Sequence, residues 1–147
     1  MKFTNIPGSF RDPAGQVFKF EDRIIRIVRK QGKERYEKIV KKNIIEESIS
    51  NNFLVPTKEV SSEFKEYTNE HNCYFLEHNK LDYISYPYEW GFYQLKDAAL
   101  HHLNFQIFLL EKNFVLIDSS AYNIQFQNNK PIFIDLLSIE EYREGDY

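Results

Sequence analysis

The sequence has little of the chemistry that cross-links or anchors small proteins. Its single cysteine, Cys73, excludes an internal disulfide framework and a cysteine-based zinc site. No stretch approaches the roughly 20 consecutive apolar residues of a membrane span. Residues 1–10 also lack the apolar core of a secretion signal. We therefore expect a soluble protein of the reducing cytoplasm, with no membrane partner.

Glycine and charge of one sign are also scarce. The five glycines lie at positions 8, 15, 32, 91 and 145, and none forms the Gly-x-Gly turn of a dinucleotide or SAM site. The net charge of −3 comes from 19 basic and 22 acidic side chains interspersed along the chain. The basic residues are densest from Arg23 to Lys42, a pattern typical of a solvated strand and helix face. Nucleic-acid binding through a general basic field is therefore disfavoured.

The 147 residues, 42% of them hydrophobic, are enough for one core, or for one core with a small satellite lobe. Thirteen Phe and ten Tyr give a high aromatic fraction of 16%. The periodicities predict an α+β fold. The predicted elements are strands at 16–21 and 23–29, a helix at 34–51 with a break near Asn43, a hairpin of 73–77 with 81–86, a long buried helix at 94–112, a strand at 114–117, and a hairpin of 124–126 with 131–134.

Three short oxygen-bearing side chains, Asp118, Asn123 and Asp135, lie at predicted strand ends or in a loop after the long helix. Phosphoryl transfer from a nucleotide needs such a set, because side-chain oxygens must hold magnesium against the phosphates while a carboxylate orients the attacking hydroxyl. The spacing resembles the catalytic loop of protein kinases and aminoglycoside phosphotransferases. That resemblance implies that Asp118 is the catalytic carboxylate and that Asn123 and Asp135 are magnesium ligands.

The kinase-type pattern is degenerate. Leu116-Ile117 precede Asp118 where a kinase has His-Arg, and Leu136-Leu137 follow Asp135 where it has Phe-Gly. An arginine also stands where a lysine would reach the phosphates, and this exchange is not conservative at a tight site. The candidate nucleotide-binding residues are Gly15, the single glycine of the phosphate-covering loop, Arg26 in place of the lysine, and Glu46 or Glu47 as the partner of Arg26.

A structural interpretation competes with the phosphotransfer interpretation. In it, Asp118 caps a turn, Asn123 satisfies backbone groups of the loop, and Asp135 ends a strand. Two other chemical interpretations are weaker. The adjacent His101 and His102 point about 100° apart on a helix, so they rarely share one metal. Cys73 has no placed histidine partner that would make it a nucleophile.

Four segments carry a family resemblance: residues 84–90 (ISYPYEW), 94–100 (QLKDAAL), 120–126 (SAYNIQF) and 131–135 (PIFID). They resemble the N-terminal region of bacterial class I SAM-dependent methyltransferase family proteins, some of which are described as nodulation-protein-like. Residues 10–15 (FRDPAG) and 141–145 (EYREG) fit as well, so the resemblance covers nearly the whole chain. It implies that a methyltransferase domain lies outside this segment, which should neither bind SAM nor transfer methyl groups.

The two resemblances together imply a partial protein-kinase-like fold. Residues 1–86 would form a small-lobe-like region, and residues 87–147 the hinge, the long helix and the catalytic-loop region. The hinge itself would lie at Tyr86 to Phe92. The implied function is a kinase-like module that is non-catalytic alone or retains binding of ATP and Mg²⁺. Two alternatives are an active ATP-dependent phosphotransferase using Asp118, Asn123 and Asp135, and a docking module for a partner protein or substrate.

The family resemblance also implies further helices after residues 141–145, without which apolar side chains of this aromatic-rich segment would be uncovered. Contiguous exposed apolar patches are uncommon on soluble monomers. We therefore expect the surface to be covered by a second copy of the chain or by a downstream methyltransferase domain. The side chains expected to contribute to it include some among Leu100, Phe105, Phe108, Phe126 and Phe133.

Overall fold

The structure is a computed structural model that describes residues 3–5, 14–64, 66 and 73–145. Within these residues the fold is mixed α and β, with four helices and three small antiparallel sheets. None of the described helices combines the length and the apolar composition needed to cross a bilayer. The chain forms two compact units, one from residues 1–38 and 56–80 and the other from residues 39–55 and 81–147. The helices are α1 Lys30–Lys41, α2 Ile44–Ser50, α3 Ser61–Phe64 and α4 Phe92–Leu110.

The first unit contains a five-stranded antiparallel sheet. Its strands are β1 Phe3–Asn5, β2 Gly15–Phe20, β3 Arg23–Val28, β4 Thr57–Glu59 and β5 Tyr74–His78, in the spatial order β1-β2-β3-β5-β4. The predicted hairpin of 16–21 with 23–29 is confirmed as β2 and β3. Its two-residue turn contains Glu21 with a positive φ of 54°, a conformation that matches the right-handed twist of the strands on either side.

The predicted hairpin of 73–77 with 81–86 is wrong in its pairing. β5 forms as expected, but it lies between β3 and β4 and pairs antiparallel with both. Both of its edges are therefore occupied, and residues 81–86 form no strand. They belong to the second unit, where the backbone N–H and C=O of Ser85 bond to the side chain of Gln125.

One face of the sheet carries the core of the first unit. The buried side chains that pack together there are Phe20, Ile25, Val60, Phe64 and Phe75. Arg23 and Glu77 flank this core, with Nη2 of Arg23 at 2.7 Å from Oε2 of Glu77. The hydrogen bond from Arg23 stabilises the carboxylate, so it lowers the pKa of Glu77 to about 2.

Gly32 of α1 lies against the backbone of Ala14, and this contact yields a stability prediction. In an exposed helix interior, replacing Gly by Ala stabilises by about 1 kcal/mol. A Cβ at Gly32 would lie 2.6 Å from the carbonyl oxygen of Ala14, which also accepts a hydrogen bond from the N–H of Arg29 at 2.8 Å. We therefore expect Gly32→Ala to destabilise by about 1–3 kcal/mol in urea unfolding.

The matched control for that prediction is Gly91→Ala. A Cβ at Gly91 meets no atom within 4 Å among the described residues. Gly91 precedes the first residue of α4, so its replacement by Ala is expected to cost no more than about 1 kcal/mol through weaker capping. A Gly32→Ala variant as stable as the wild type would show that the Ala14 segment moves aside at no cost.

The second unit contains α2, α4 and two antiparallel sheets of two strands each. Its strands are β6 Phe114–Leu116, β7 Ile124–Gln127, β8 Lys130–Phe133 and β9 Ile139–Glu141, with β6 paired to β9 and β7 paired to β8. The predicted hairpin of 124–126 with 131–134 is confirmed as β7 and β8. Its turn residues Asn128 and Asn129 have φ values of 51° and 61°, a combination that Asn tolerates better than most residues.

The predicted break in the first long helix is confirmed at Asn43. This residue has a left-handed φ of 56° and separates α1 from α2. After α2 the chain runs past Phe53 and pairs with β8 through a single parallel bridge of Leu54 with Phe133. The segment before Pro56 is therefore joined to the hairpin of β7 and β8.

The long helix predicted at 94–112 is confirmed as α4, but the expectation that it is largely buried is wrong. Its buried residues are Ala98, Phe105 and Leu109. The Phe53 ring stacks on Phe105 at 5.1 Å, and the Phe133 ring meets Phe105 edge-on at 5.5 Å. The aromatic residues thus cover one side of α4 and leave the other side exposed.

The side chains expected to form an uncovered apolar surface are divided between exposed and buried positions. Leu100 is exposed as expected, whereas Phe105 and Phe133 are fully buried. Phe108 and Phe126 are half-buried, with Phe108 packed near Phe53 and Phe126 against Trp90.

Candidate functional site

The loop that carries Asp118 begins at the end of β6, and hydrogen bonds hold the chain there on two sides. The N–H of Leu116 donates to the side-chain oxygen of Gln106 on α4 at 2.9 Å. The N–H of Ile117 donates to the carbonyl oxygen of Ser138 at 2.9 Å. The backbone immediately before Asp118 is therefore positioned by the helix and by the segment that follows Asp135.

Asp118 and Asn123 are joined across the loop. The side-chain N–H of Asn123 donates to the carbonyl oxygen of Asp118 at 3.2 Å, and Oδ1 of Asp118 accepts from the N–H of Ser120 at 3.0 Å. A short 3₁₀ turn, Ala121–Asn123, leads into β7. Because the amide nitrogen of Asn123 is used as a donor, its Oδ1 atom is the group left to accept a ligand.

Asp135 follows β8 on the neighbouring strand. The N–H of Ile134 donates to the carbonyl oxygen of Asn123 at 2.9 Å, which extends the β7–β8 ladder by one pair. The hydroxyl of Ser138 donates to Oδ2 of Asp135 at 2.7 Å, and the N–H of Ser138 donates to the carbonyl oxygen of Asp135 at 3.1 Å. The half-buried carboxylate of Asp135 is therefore held in a fixed orientation.

These contacts form a closed circuit, which we call the hydrogen-bonded ring. It runs from Asp118 to Asn123, from Asn123 across the ladder to Ile134 and Asp135, from Asp135 to Ser138, and from Ser138 back to Ile117. The three site residues predicted from the sequence all belong to it. The contacts expected from the structural interpretation of Asp118 and Asn123 are also present within it.

The donor set of the ring matches the chemistry of a hard cation. Asp118, Asn123 and Asp135 offer carboxylate and amide oxygens, which are the ligands that Mg²⁺ prefers. No three His, Cys, Asp or Glu side chains among the described residues come together as a metal-ligand group. A magnesium ion held by Asn123 and Asp135 would take one amide oxygen and one carboxylate from the protein, with its remaining ligands coming from water or phosphate.

Sequence reasoning missed Ser138 and Gln106, which position the ring. Ser138 is almost fully buried, and its spacing of three residues after Asp135 is a common side-chain pairing in turns. That spacing was visible in the sequence, but many Asp and Ser residues share it by chance. The contact between Gln106 and Leu116 depends on how α4 packs beside β6, so no local pattern indicated it.

His102 of α4 lies within electrostatic reach of the loop. Its burial lowers the pKa of the imidazole, and neighbouring His101 lowers it further, while the Asp118 carboxylate opposes both effects. The His102 ring also meets the Phe133 ring edge-on at 5.5 Å. Burial of the ring therefore favours the neutral form of the His102 imidazole.

Two of the predicted nucleotide-binding residues lie in the first unit. Arg26 is buried on β3, and its Nε donates to Nε2 of His78 at 3.3 Å. Because an arginine only donates, His78 accepts at Nε2 and carries its proton on Nδ1, which faces the hydroxyl of Thr57 at 2.8 Å. Gly15 is the first residue of β2 and pairs with Val28. Roles for Arg26 and Gly15 toward a phosphate stay predictions.

The two candidate partners of Arg26 lie in the first turn of α2. Glu47 forms an ion pair with Lys112, and the backbone carbonyl of Glu46 accepts from the hydroxyl of Ser50 at 2.8 Å. Pairing of Arg26 with Glu46 stays a prediction. The ion pair with Lys112 makes Glu47 the less suitable of the two.

In and beside the segment predicted as a hinge, backbone N–H groups donate hydrogen bonds to side chains of the second unit. The N–H and C=O of Ser85, just before it, both bond to the side chain of Gln125 at 3.0 and 2.9 Å. Two further donations are made within the segment and its neighbour, from Tyr86 N–H to Glu89 Oε2 at 2.7 Å and from Gly91 N–H to Gln94 Oε1 at 3.1 Å. These groups are therefore not available to recognise the edge of a base.

The chain was compared with known families and proteins. No family model matches it. Nodulation protein NoeA of Rhizobium meliloti is 40% identical to the chain over 140 residues. The match covers 95% of this chain but 29% of NoeA, so the chain spans less than a third of that relative's length.

These comparisons correct the family resemblance. No methyltransferase or kinase family is identified for the chain, and the relative that matches is named a nodulation protein. The assignment to class I SAM-dependent methyltransferases is therefore wrong. Four short segments of similar residues were too little to distinguish that family from another protein that shares the same segment.

Proposed function

We propose that the chain is a magnesium-dependent nucleotide-binding module whose metal is held by Asn123 and Asp135, with Asp118 as the carboxylate beside the phosphate. The observation that supports this most is the hydrogen-bonded ring, because it holds all three oxygen-bearing residues in one small region of the second unit. A cation site must be preorganised in this way, since misplaced ligands lose affinity steeply. Magnesium, when bound, neutralises phosphate charge that the protein alone leaves uncompensated.

Each residue has a distinct part in this proposal. Asp135, held by Ser138 through Oδ2, supplies the half-buried carboxylate. Asn123 supplies its amide oxygen, because its amide nitrogen is committed to Asp118. Asp118 is exposed near the start of the loop, where its second carboxylate oxygen is suited to orient a hydroxyl or water beside the phosphate.

The arrangement that would accompany this function is kinase-like. A long helix, a loop with Asp and Asn five positions apart, a tight hairpin and a following Asp occur here in the order in which protein kinases have them. The departures from the kinase pattern at residues 116–117 and 136–137 favour nucleotide binding over fast turnover. An active phosphotransferase would need the same three residues.

Titration calorimetry with ATP in the presence of Mg²⁺, and again with a chelator, tests the proposal. We expect binding that requires Mg²⁺ and that weakens by about 10- to 100-fold in Asp135→Asn, since a contact with a charged group contributes roughly 1.5–3 kcal/mol. Asp97→Asn, on the exposed part of α4, makes the same change of charge away from the ring. It should bind as the wild type does.

Two outcomes would count against the proposal. Equal affinities for Asp135→Asn and Asp97→Asn would place any nucleotide elsewhere on the protein. Failure of the folded wild type to bind the magnesium nucleotide would remove the function altogether. It would leave the docking interpretation, for which exposed Tyr83, Tyr88 and Tyr93 offer suitable aromatic contacts.

A further inference from the structure

The solvent side of α4 is apolar along most of its length. Ala98, Phe105 and Leu109 face the interior of the second unit. At 100° per residue, the side chains on the opposite face lie about half a turn away from these. The apolar side chains exposed there are Tyr93, Leu100, Leu103, Ile107 and Leu110, with exposed fractions between 44% and 77%.

The exposed residues follow a coiled-coil spacing. From Tyr93 to Leu110 the seam positions alternate by three and four residues, and Lys96 is the one polar member. We call residues 93, 96, 100, 103, 107 and 110 the α4 seam. An apolar repeat of 3.5 residues faces a second helix in proteins that display it. The side chains of the seam therefore have the spacing that packs against a second helix.

We propose that the C-terminal part of the α4 seam pairs antiparallel with the same part of a second copy of this chain, around a two-fold axis at the level of residue 105. In this register Leu100 meets Leu110 of the second copy, and Leu103 meets Ile107. Between Leu100 and Leu110, each side chain of the seam then packs against an aliphatic side chain of the second copy. A symmetric, self-complementary contact of this kind closes after two subunits.

The position of Lys96 favours the antiparallel arrangement. In a parallel pair, Lys96 would face Lys96 of the second copy in the same layer, and like charges would repel. In the antiparallel pair Lys96 lies just past the C-terminal end of the second copy's α4, which ends at Leu110 with Glu111 as its C-cap. Glu111 is then offset from Lys96 by three residues, or roughly 4.5 Å along the axis. A lysine side chain spans that distance, so Lys96 and Glu111 become opposite charges at each end of the seam.

The exposed area fits a weak, concentration-dependent dimer. The four aliphatic side chains that this register pairs, Leu100, Leu103, Ile107 and Leu110, are each about half exposed. They present roughly 400 Å² per copy, so a symmetric pair would remove about 800 Å² from water, which is the size of weak and transient protein contacts.

Sedimentation equilibrium across a concentration series tests the pairing, with reductant present so that Cys73 cannot form disulfide-linked dimers. The 17.7 kDa chain is expected to approach twice that mass as the concentration rises. Leu103→Glu buries a charge at the centre of the seam, so we expect its dimerisation to weaken on the order of 100-fold. Ile84→Glu, also exposed but outside α4, should dimerise normally.

A charge exchange tests the register. Lys96→Glu and Glu111→Lys should each weaken dimerisation, and the double variant should restore it, because the two residues couple only across the antiparallel pair. A wild type that remains monomeric throughout the series overturns the proposal, as does equal dimerisation of Leu103→Glu and Ile84→Glu. Absence of rescue in the double variant overturns the antiparallel register.

Discussion

Replacing Phe133 by Ala is expected to lower the free energy of unfolding by about 3–5 kcal/mol, the usual cost of removing a fully buried aromatic ring. Phe133 has no exposed surface, and its ring lies 5.5 Å from the rings of Phe105 and His102. Its N–H donates to the carbonyl of Phe53, and its C=O accepts from Val55. The surrounding backbone is therefore fixed and cannot collapse into the cavity.

The measurement is urea unfolding of the wild type and the variant, followed by far-UV circular dichroism. Tyr83→Ala removes a ring that is largely exposed in the same unit, and it should change stability by less than about 0.5 kcal/mol. A loss below about 1.5 kcal/mol for Phe133→Ala would mean that the site relaxes, and that Phe133 is not the centre of this core.

Replacing Gln125 by Leu is expected to cost about 2–4 kcal/mol, although Leu is the more hydrophobic residue. The Gln125 amide is buried, donating to the C=O of Ser85 at 2.9 Å and accepting from its N–H at 3.0 Å. A leucine leaves both backbone groups buried without these bonds, and each costs about 1–3 kcal/mol. Gln127→Leu, two residues along the same hairpin and half-buried, is the matched control.

Trp90 reports on the same site directly. It is the single tryptophan of the sequence, and its indole N–H donates to the hydroxyl of Ser85 at 2.9 Å. If Gln125 holds Ser85 in place, Gln125→Leu should shift the tryptophan emission to the red, and Gln127→Leu should not. Unchanged emission together with an unchanged urea midpoint would show that Ser85 is held by other contacts.

The elements predicted correctly are those whose sequence signals lie within the element itself. The β2–β3 and β7–β8 hairpins, the helical break at Asn43 and the existence of α4 all follow from alternation, turn residues or helical period, and all are confirmed. The pairing of β5 and the exposure of α4 were predicted wrongly. Both depend on which distant segment arrives at an edge or a face, and the sequence pattern does not carry that information.

The candidate site shows the same division. Asp118, Asn123 and Asp135 were identified from spacing, and they belong to one hydrogen-bonded ring. Ser138 and Gln106 were not identified, because a buried serine and a helix glutamine have no local signature of what they bind. The closeness of Asp118, Asn123 and Asp135 along the ring was thus predictable from their spacing, whereas the contacts of Ser138 and Gln106 were not. The role of the three residues as ligands stays a prediction.

The interleaving of the two units has a consequence for folding and for dissection of the chain. Residues 39–55 belong with residues 81–147, and the segment 56–80 between them belongs to the other unit. The bond between Val55 and Phe133 closes a loop of roughly 80 residues, which costs more chain entropy than any hairpin here. We therefore expect the pairing of residue 55 with residue 133 to limit the folding rate of the second unit, because contacts between residues far apart in sequence form slowly. A fragment starting at Leu81 would lack α2 and Phe53, so the candidate loop is best studied in the uncut chain.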